Sequence, residues 1–466
     1  MVAAFSTKGQ KGSTAKSLAA TEIPAPMVSP MIAPSSETAA RLRADARRVV
    51  EAAIDAVKPS IFLPRHLPRP RAGQRVVIFA AGKAAGSMAE TAEAHYRALG
   101  LGPDRLSGLA IARHGYGRPL AILDAMEAGH PVPDEAGLSA TAEMMRRAQV
   151  VSPDDLVIFL LSGGASANLV APLGAITLAE KQDLTRQMLR AGVPIGEINT
   201  LRKHISRVKG GRLAALMQGA EIVTLALSDV PGDELSLIGS GPTIPDPSTL
   251  EQARAVVARH RLRPAASILA VLDDPGSESP KPGDACFARS RAIVAAKPAD
   301  AWHAAWKKAE SLGYRVVDLG HALEGEAREI AAAHARRALE AAPGENLAFL
   351  SGGELTVTIK GKGRGGPNQE YAMALALGLR GAAGIAALAA DTDGTDGGVG
   401  RADDPAGAFL DASTLQRAHD AGLDAAMMLE NNDSSAFFRA LGDLYVPGPT
   451  FTNANDLRVI LREGRA

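Results

Sequence analysis

Four groups of residues in this sequence have the types and spacing for chemistry. The first is a pair of LSGG segments, Leu161–Gly164 and Leu350–Gly353, each closing an apolar run. Glycines at a strand end let backbone N–H groups turn toward an anion with no Cβ in the way, and a following helix adds the positive end of its dipole. Ser162, Gly163, Gly164 and Ser166 in the first copy are therefore candidate phosphate- or nucleotide-binding residues, as are Ser351, Gly352, Gly353 and Glu354 in the second. A plain tight turn is the alternative for either copy alone. No lysine occurs in SGGASANL, so the first loop is not a Walker A loop, which needs GK followed by Ser or Thr.

A lysine stands at another strand end, where Arg75–Ala80 runs into the turn GKAAGSMA with Gly82 and Lys83 at its head. A cation there sits beside a helix N-terminus and is placed to hold a phosphate; a solvated surface lysine is the alternative. The third group is INTLRKHISRVKGGRLAAL, which concentrates Asn199, Arg202, Lys203, Ser206, Lys209, Gly210 and Gly211. Spacings of three and four put Asn199, Arg202, Ser206 and Lys209 near one helical face. Cations gathered beside a glycine pair in a chain without net charge point to a polyanionic ligand, against the plainer reading of a wet helix face.

The fourth group is acidic: Asp229 and Asp233 in SDVPGD, then Asp391, Asp393 and Asp396 in DTDGTDG. Mg²⁺ takes one or two carboxylates plus phosphate oxygens and keeps its waters, so Asp229, Asp233, Asp393 and Asp396 are metal candidates. The second run is no EF-hand, because its twelfth position is Ala402 rather than a bidentate glutamate. Beyond Glu354, Lys360, Lys362, Arg364, Gly365 and Gly366 form a basic loop entering a helix with Asn368 and Gln369, suited to a lid or phosphate clamp.

The elements that must position these groups alternate short apolar runs with longer alanine-rich amphipathic ones, the pattern of α/β folds with parallel sheets. Strands are expected at Arg75–Ala80, Leu156–Leu161, Glu221–Leu227, Arg291–Ala296, Tyr314–Asp318, Asn346–Leu350 and Ile385–Ala390. Ligands in such sheets bind beyond the carboxyl ends of the strands, where most of the candidates lie. The Pro-, Gly- and Ser-rich stretch Asp273–Ala285 reads as a linker, dividing an N-terminal domain over 37–275 from a C-terminal one over 286–466.

With 466 residues, 46% of them apolar, the chain fills more than one core. Its 51 basic and 51 acidic residues give no net field for nucleic acid or anionic lipid. One cysteine, Cys286, excludes an internal disulfide and fits a reducing compartment. No run of about 18 apolar residues is present, and the chain reads as soluble and cytoplasmic. Residues 1–36 carry Lys8, Lys11 and Lys16 against Glu22 and no arginine, which favours a disordered leader or an upstream start over a transit peptide.

The ordered set of motifs resembles the glycerate 2-kinases whose C-terminal part is the MOFRL domain. It comprises AAGKAAGSMA, GHPVPDEAG, LSGGASA, INTLRKHISRVKGGRLA, SDVPGDELSLIGSGPT, GEAREIA, LSGGELTV, GRGGPNQEYAMALAL, AADTDGTDG and GPTFTNANDL, spread from about Arg41 to Leu461. That resemblance implies two α/β domains, the first Rossmann-like, with an active site in the cleft between them. It implies phosphoryl transfer from ATP to glycerate with a divalent metal such as Mg²⁺. Carried over by motif, Lys83 and Arg364 are the catalytic candidates, embracing the transferring group from opposite domains. Asn199, Arg202, Lys203, Asn368, Asn455 and Asp456 are the substrate-binding candidates. His130 in GHPVPDE belongs to the family pattern and either stabilises its turn or meets the ligand. Two segments depart from that pattern: Pro298–Asp300, where an asparagine-rich turn is usual, and Val446–Pro447 before the last motif. A hydroxypyruvate reductase, a name some relatives carry, would need a nicotinamide site, and the expected GxGxxG directly after a strand, with an acidic residue about 20 positions on, is not present in that form. A non-catalytic sensor on the same fold is opposed by the retention of Lys83 and Arg364. Whether the chain forms a homo-oligomer is left open.

Overall fold

A computed structural model describes residues 36–217, 219–398, 401 and 403–464. The leader expected over 1–36 lies outside the described residues except for Ser36. Six strands form the first sheet: β1 (Val76–Ala81), β2 (Leu106–Arg113), β3 (Asp124–Ala128), β4 (Leu156–Ser162), β5 (Glu221–Leu227) and β6 (Ser290–Ala296). They run in the order β3-β2-β1-β4-β5-β6 and every pair is parallel. VVIFAA and LVIFLLS are uninterrupted apolar runs because both faces of these central strands are covered. Val77, Phe79, Val157 and Phe159 enter one core, while Ile78, Ala80, Ile158 and Leu160 enter the other. Each larger one of these side chains contributes roughly 1.5–3 kcal/mol by leaving water.

The second sheet holds β7 (Arg315–Asp318), β9 (Leu347–Gly353), β11 (Ile385–Asp391), β12 (Gly407–Asp411), β13 (Leu444–Tyr445) and β14 (Asp456–Arg462), with β8 (Gly325–Glu326) and β10 (Leu355–Thr356) as a separate parallel pair. Its order is β13-β12-β11-β14-β9-β7. Only β7 and β9 pair in parallel here, so the alternating pattern misreads this half as a parallel sheet. The last strand, β14, enters the middle antiparallel to both neighbours. It therefore starts where β11 and β9 end, with Asp456 opposite Asp391 and Gly353.

The boundary expected at 273–285 is corrected by two pairings. β6 joins β5, so the first sheet runs past residue 286. Helix Ser36–Ala56 belongs to the second sheet, where Arg43 pairs with Asp411 at 2.9 Å and Asp443 at 2.6 Å. The presumed linker is packed, since Glu278 meets His204 at 2.9 Å, Arg212 reaches the Ser277 carbonyl at 2.6 Å, and Ser277 and Ser279 are buried. Its polar residues satisfy the backbone of a folded loop rather than keep a tether in solvent. One core cluster contains side chains of both sheets, among them Ile158, Leu350, Leu388 and Val459. No helix among the described residues is long and apolar enough to cross a membrane.

Candidate active site

In the first sheet the chain leaves β1 toward β2 and β4 toward β5, so β1 and β4 flank a topological switch point, the usual ligand crevice of such folds. The turns after these two strands are stitched together. Lys83 N–H donates to the Gly163 carbonyl at 2.8 Å, and Ala84 N–H donates to Ser162 Oγ at 3.0 Å. Gly82 has φ +119°, and a Cβ there would stand 2.4 Å from the Ser162 carbonyl oxygen. Ser162 and Gly82 thus aim Lys83.

Lys83 reaches across to the second sheet, where its Nζ lies 2.8 Å from Asp393 Oδ2. Asp393 is oriented by the Thr395 N–H at 2.8 Å and hydroxyl at 3.1 Å, and Arg113 at the end of β2 lies 3.9 Å away. After β5, Asp229 accepts a hydrogen bond of 2.7 Å from Asn453. Gly163 makes room for that pair, because a Cβ would fall 1.6 Å from Asp229 Oδ2 and 2.4 Å from Asn453 Nδ2. A cavity of about 220 Å³ opens here, bordered by Lys83, Arg113, His130, Glu354, Asp391, Asp393 and Asp456. A larger hollow of about 710 Å³ lies against Arg43 and Arg417, but their charges are already paired with Asp411 and Asp443.

Carboxylates outnumber cations in this cavity, and the proton affinities follow. Burial works to lower Lys83, yet Asp393, Asp391 and Asp229 outweigh it and hold the ammonium above its ordinary range. Burial works to raise Asp393, yet the Lys83 charge keeps it below the usual carboxylate range. Asp391 is driven well above that range by burial and by Asp393. Asp229 and Asp456 are raised chiefly by burial. Glu354 is raised by desolvation among the cleft walls and by Asp456. Burial, then Lys83 and Arg113, lower His130 to about 4, so its imidazole is neutral at pH 7.

Several expected site residues have other work. Asp396 caps helix Pro367–Leu379, accepting the N–H groups of Asn368 at 3.0 Å and Gln369 at 2.9 Å; burial and Asp456 push it up to about 7. Asp233 lies outside the cavity lining, 3.8 Å from Lys297. Asp233 is therefore withdrawn as a metal ligand, whereas Asp396 borders the cavity with both carboxylate oxygens engaged by the helix cap. Asn368 ties Asp396 to Asp456, its Nδ2 lying 2.8 Å from the latter. Lys203 is buried against Asp246 at 3.1 Å, which removes it from the substrate-binding set.

The second glycine pair is corrected as well. Ser351, Gly352 and Gly353 lie within β9 and are buried, Gly352 N–H donates to the Gly320 carbonyl, and a Gly353 Cβ would stand 2.2 Å from Leu323 N. These glycines admit the crossing loop 320–323, not an anion, and only Glu354 of that motif borders the cavity. Gly210 and Gly211 donate their N–H groups to the Ser240 and Gly241 carbonyls, so they shape a turn instead of cradling phosphate. Asn455, at φ +60°, supplies its carbonyl to Thr392 N–H, whereas Asn453 two residues earlier carries the polar contact to the site.

Arg364 is exposed on a loop pinned by tight glycine packing, since a Cβ on Gly366 would stand 2.3 Å from the Asp396 carboxylate. It stands three residues before Pro367, which lines the cavity, and does not line it itself. Arg113, Asp391, Thr395 and Asn453 were missed as site residues. The first ends a strand not recognised as one, and the others lie inside motifs from which different residues were chosen. Asn199, Arg202 and Lys209 gather behind the first SGG turn: Ser240 Oγ donates to Asn199 Oδ1 at 3.0 Å and lies 3.0 Å from Ser166 Oγ.

Comparison with known proteins agrees with this architecture. A family model described as a domain of unknown function (DUF4147) matches residues 45–273, and one described as the MOFRL family matches 347–456. A protein of Agrobacterium vitis named "Putative hydroxypyruvate reductase" is 44% identical over 427 residues, 89% of this chain and 93% of that protein. The D-glycerate 2-kinase of Thermotoga maritima is 36% identical over 416 residues, 88% of this chain and 95% of that protein. A crystal structure of a glycerate kinase from Thermotoga maritima matches with TM-score 0.78 and 35% identity, covering 91% of this chain and 100% of that one. Sharing this fold, both family regions and near end-to-end similarity with these relatives, the chain belongs to the MOFRL/DUF4147 glycerate kinase family.

Proposed function

We propose that this chain transfers the γ-phosphoryl group of ATP to the 2-hydroxyl of glycerate in the cavity between the two sheets. The observation that carries the reading is Lys83, thrown from the β1 turn onto Asp393 of the opposite sheet at 2.8 Å. Phosphoryl transfer needs little covalent help from a protein; it needs alignment and neutralisation of moving charge. Lys83, Arg113 and, from the rim, Arg364 supply positive charge, and the first SGG turn supplies the close backbone approach of Gly163 and Gly164.

The acidic lining fits a divalent cation, because Asp229, Asp391 and Asp393 gather about the single ammonium of Lys83, and burial and Asp393 raise Asp391 well above its ordinary range. No group of three or more His, Cys, Asp or Glu among the described residues forms an all-protein metal cage. Mg²⁺ does not ask for one, and Asp229 and Asp393 are the residues that would hold it. Bound there, it would neutralise charge on the phosphate oxygens. The glycerate oxygen bonds to phosphorus as the bond from phosphorus to the bridging β-phosphate oxygen breaks. Asp391, on the cavity wall, takes the proton leaving the hydroxyl.

The reductase reading carried by the names of some relatives finds less support. β2 ends in Arg113, where a nicotinamide dinucleotide site places a carboxylate for the ribose. Purified protein given glycerate, ATP and Mg²⁺ is expected to release ADP only when glycerate is present, with no NADH oxidation on hydroxypyruvate. NADH oxidation without glycerate-dependent ADP release would overturn the proposal.

A further inference from the structure

Behind the SGG turn lies a cluster of cations that the transfer step does not use. Lys181, on helix Leu178–Arg190, is 4% exposed, and Lys209 is 0% exposed. Arg202, on helix Ile195–His204, is half-buried, and its charge acts on both lysines. The only hydrogen bond of the Lys209 ammonium among the described residues is a long one, 3.4 Å, to the Gly239 carbonyl. No carboxylate among the described residues comes within ion-pair distance of any of the three.

The acidic groups nearest in sequence are engaged elsewhere. Glu180 is bound by the Thr177 N–H at 2.7 Å, Asp183 by Gln187 at 2.6 Å, and Glu197 by His260 at 2.7 Å. Buried charge without a partner costs several kcal/mol, and three such cations together cost more through mutual repulsion. The repulsion shows: Lys181 is lowered to about 8 by burial and by Arg202, and Lys209 is lowered well below its ordinary range by burial, Lys181 and Arg202.

We propose that Lys181, Arg202 and Lys209, beside the turns that carry Ser166 and Ser240, form an anion site that takes phosphate oxygens of an oligophosphate chain. Ser166 joins this cluster to the catalytic turn, because it follows Gly164 by two residues and its Oγ lies 3.0 Å from Ser240 Oγ. A Cβ on Gly239 would stand 2.9 Å from the Ala165 Cβ, so the two turns are in direct contact. A single carboxylate would leave two of three cations uncompensated, whereas a phosphate chain carries one or more charges per group and matches them. Assigning that chain to the non-transferred phosphates of ATP rests on the kinase reading; the anion site itself does not.

Calorimetry with inorganic tripolyphosphate, ADP and glycerate on wild type, Lys181→Met and Arg202→Met tests the assignment. Both variants are expected to bind tripolyphosphate and ADP at least about tenfold more weakly, the scale of one lost charge-assisted hydrogen bond. Glycerate affinity should stay within about twofold. Without ligand, Lys181→Met should melt no lower than wild type, because it removes an unpaired buried charge. If tripolyphosphate binds and ADP does not, the anion site stands and the kinase reading fails. If glycerate affinity falls while tripolyphosphate binding is unchanged, or if neither changes in folded variants, the proposal is wrong.

Discussion

Lys83→Ala and Arg364→Ala are each expected to lower the glycerate-dependent rate by roughly two to four orders of magnitude, the scale for removing a charge-stabilising group. Their stabilities should differ. Sequence alone treats both as exposed cleft cations whose loss leaves folding intact, and that holds for Arg364, which is exposed. Lys83 is instead packed against Asp393 with Asp391 and Asp229 near it. Removing one partner of a buried pair costs up to about 3–5 kcal/mol. Without Lys83, Asp393 loses the charge that holds it below the usual range and Asp391 and Asp229 rise further above theirs, so the variant's deficit should shrink as pH falls from 7 toward 5 and the carboxylates protonate. Arg364→Lys should remain impaired, because an ammonium does not reproduce the planar fork on phosphate oxygens. The double variant should lose less than the product of the single losses, since both groups serve one transition state. Single variants that fold and turn over within about threefold of wild type, a change worth well under 1 kcal/mol, would remove both residues from the site.

Gly163→Ala is expected to lower the rate by about a hundredfold or more through steric displacement alone. The added methyl meets Asp229 Oδ2 at 1.6 Å and Asn453 Nδ2 at 2.4 Å, so the hydrogen-bonded pair must move. A shift near 1 Å in a positioned group costs on the order of 10² in rate. Overpacking of this kind costs roughly 1–3 kcal/mol of stability. Because Asp229 is one of the residues proposed for Mg²⁺, the metal concentration giving half-maximal rate should rise in the variant. Asn453→Ala leaves Asp229 in place without its 2.7 Å hydrogen bond and should show a smaller loss. Turnover and metal dependence of Gly163→Ala indistinguishable from wild type would show that Asp229 takes no part.

What could be read from residues follows from burial. VVIFAA and LVIFLLS announce strands because nothing polar interrupts them, and their carboxyl ends led to Lys83 and Gly163. β3, DAMEA, is largely uncovered at the sheet edge and lacks that signal, and with β2 also unrecognised Arg113 was not placed. β14 was hidden differently. Its antiparallel entry beside β11 is a long-range pairing that no local pattern encodes, and it is what sets Asp456 against Asp391.

The two SGG segments show the limit most plainly. Gly163 spares room for a carboxylate and Gly353 for a crossing backbone, yet a missing Cβ looks alike in both. Arg202 and Lys203 are adjacent, but successive residues on a helix face different ways, and one meets the cation cluster while the other meets Asp246. Lys181 was passed over because one lysine on an amphipathic helix reads as solvated. Only the packed structure shows it buried.

The most direct test of the central claim is ³¹P and ¹³C NMR of the product made from ¹³C-labelled glycerate, ATP and Mg²⁺ by the wild-type protein. The expected result is a phosphate ester whose phosphorus couples to the glycerate C2 as its ester carbon, formed in step with ADP and absent with Lys83→Ala. An ester at C3, or no glycerate ester at all, would contradict the account.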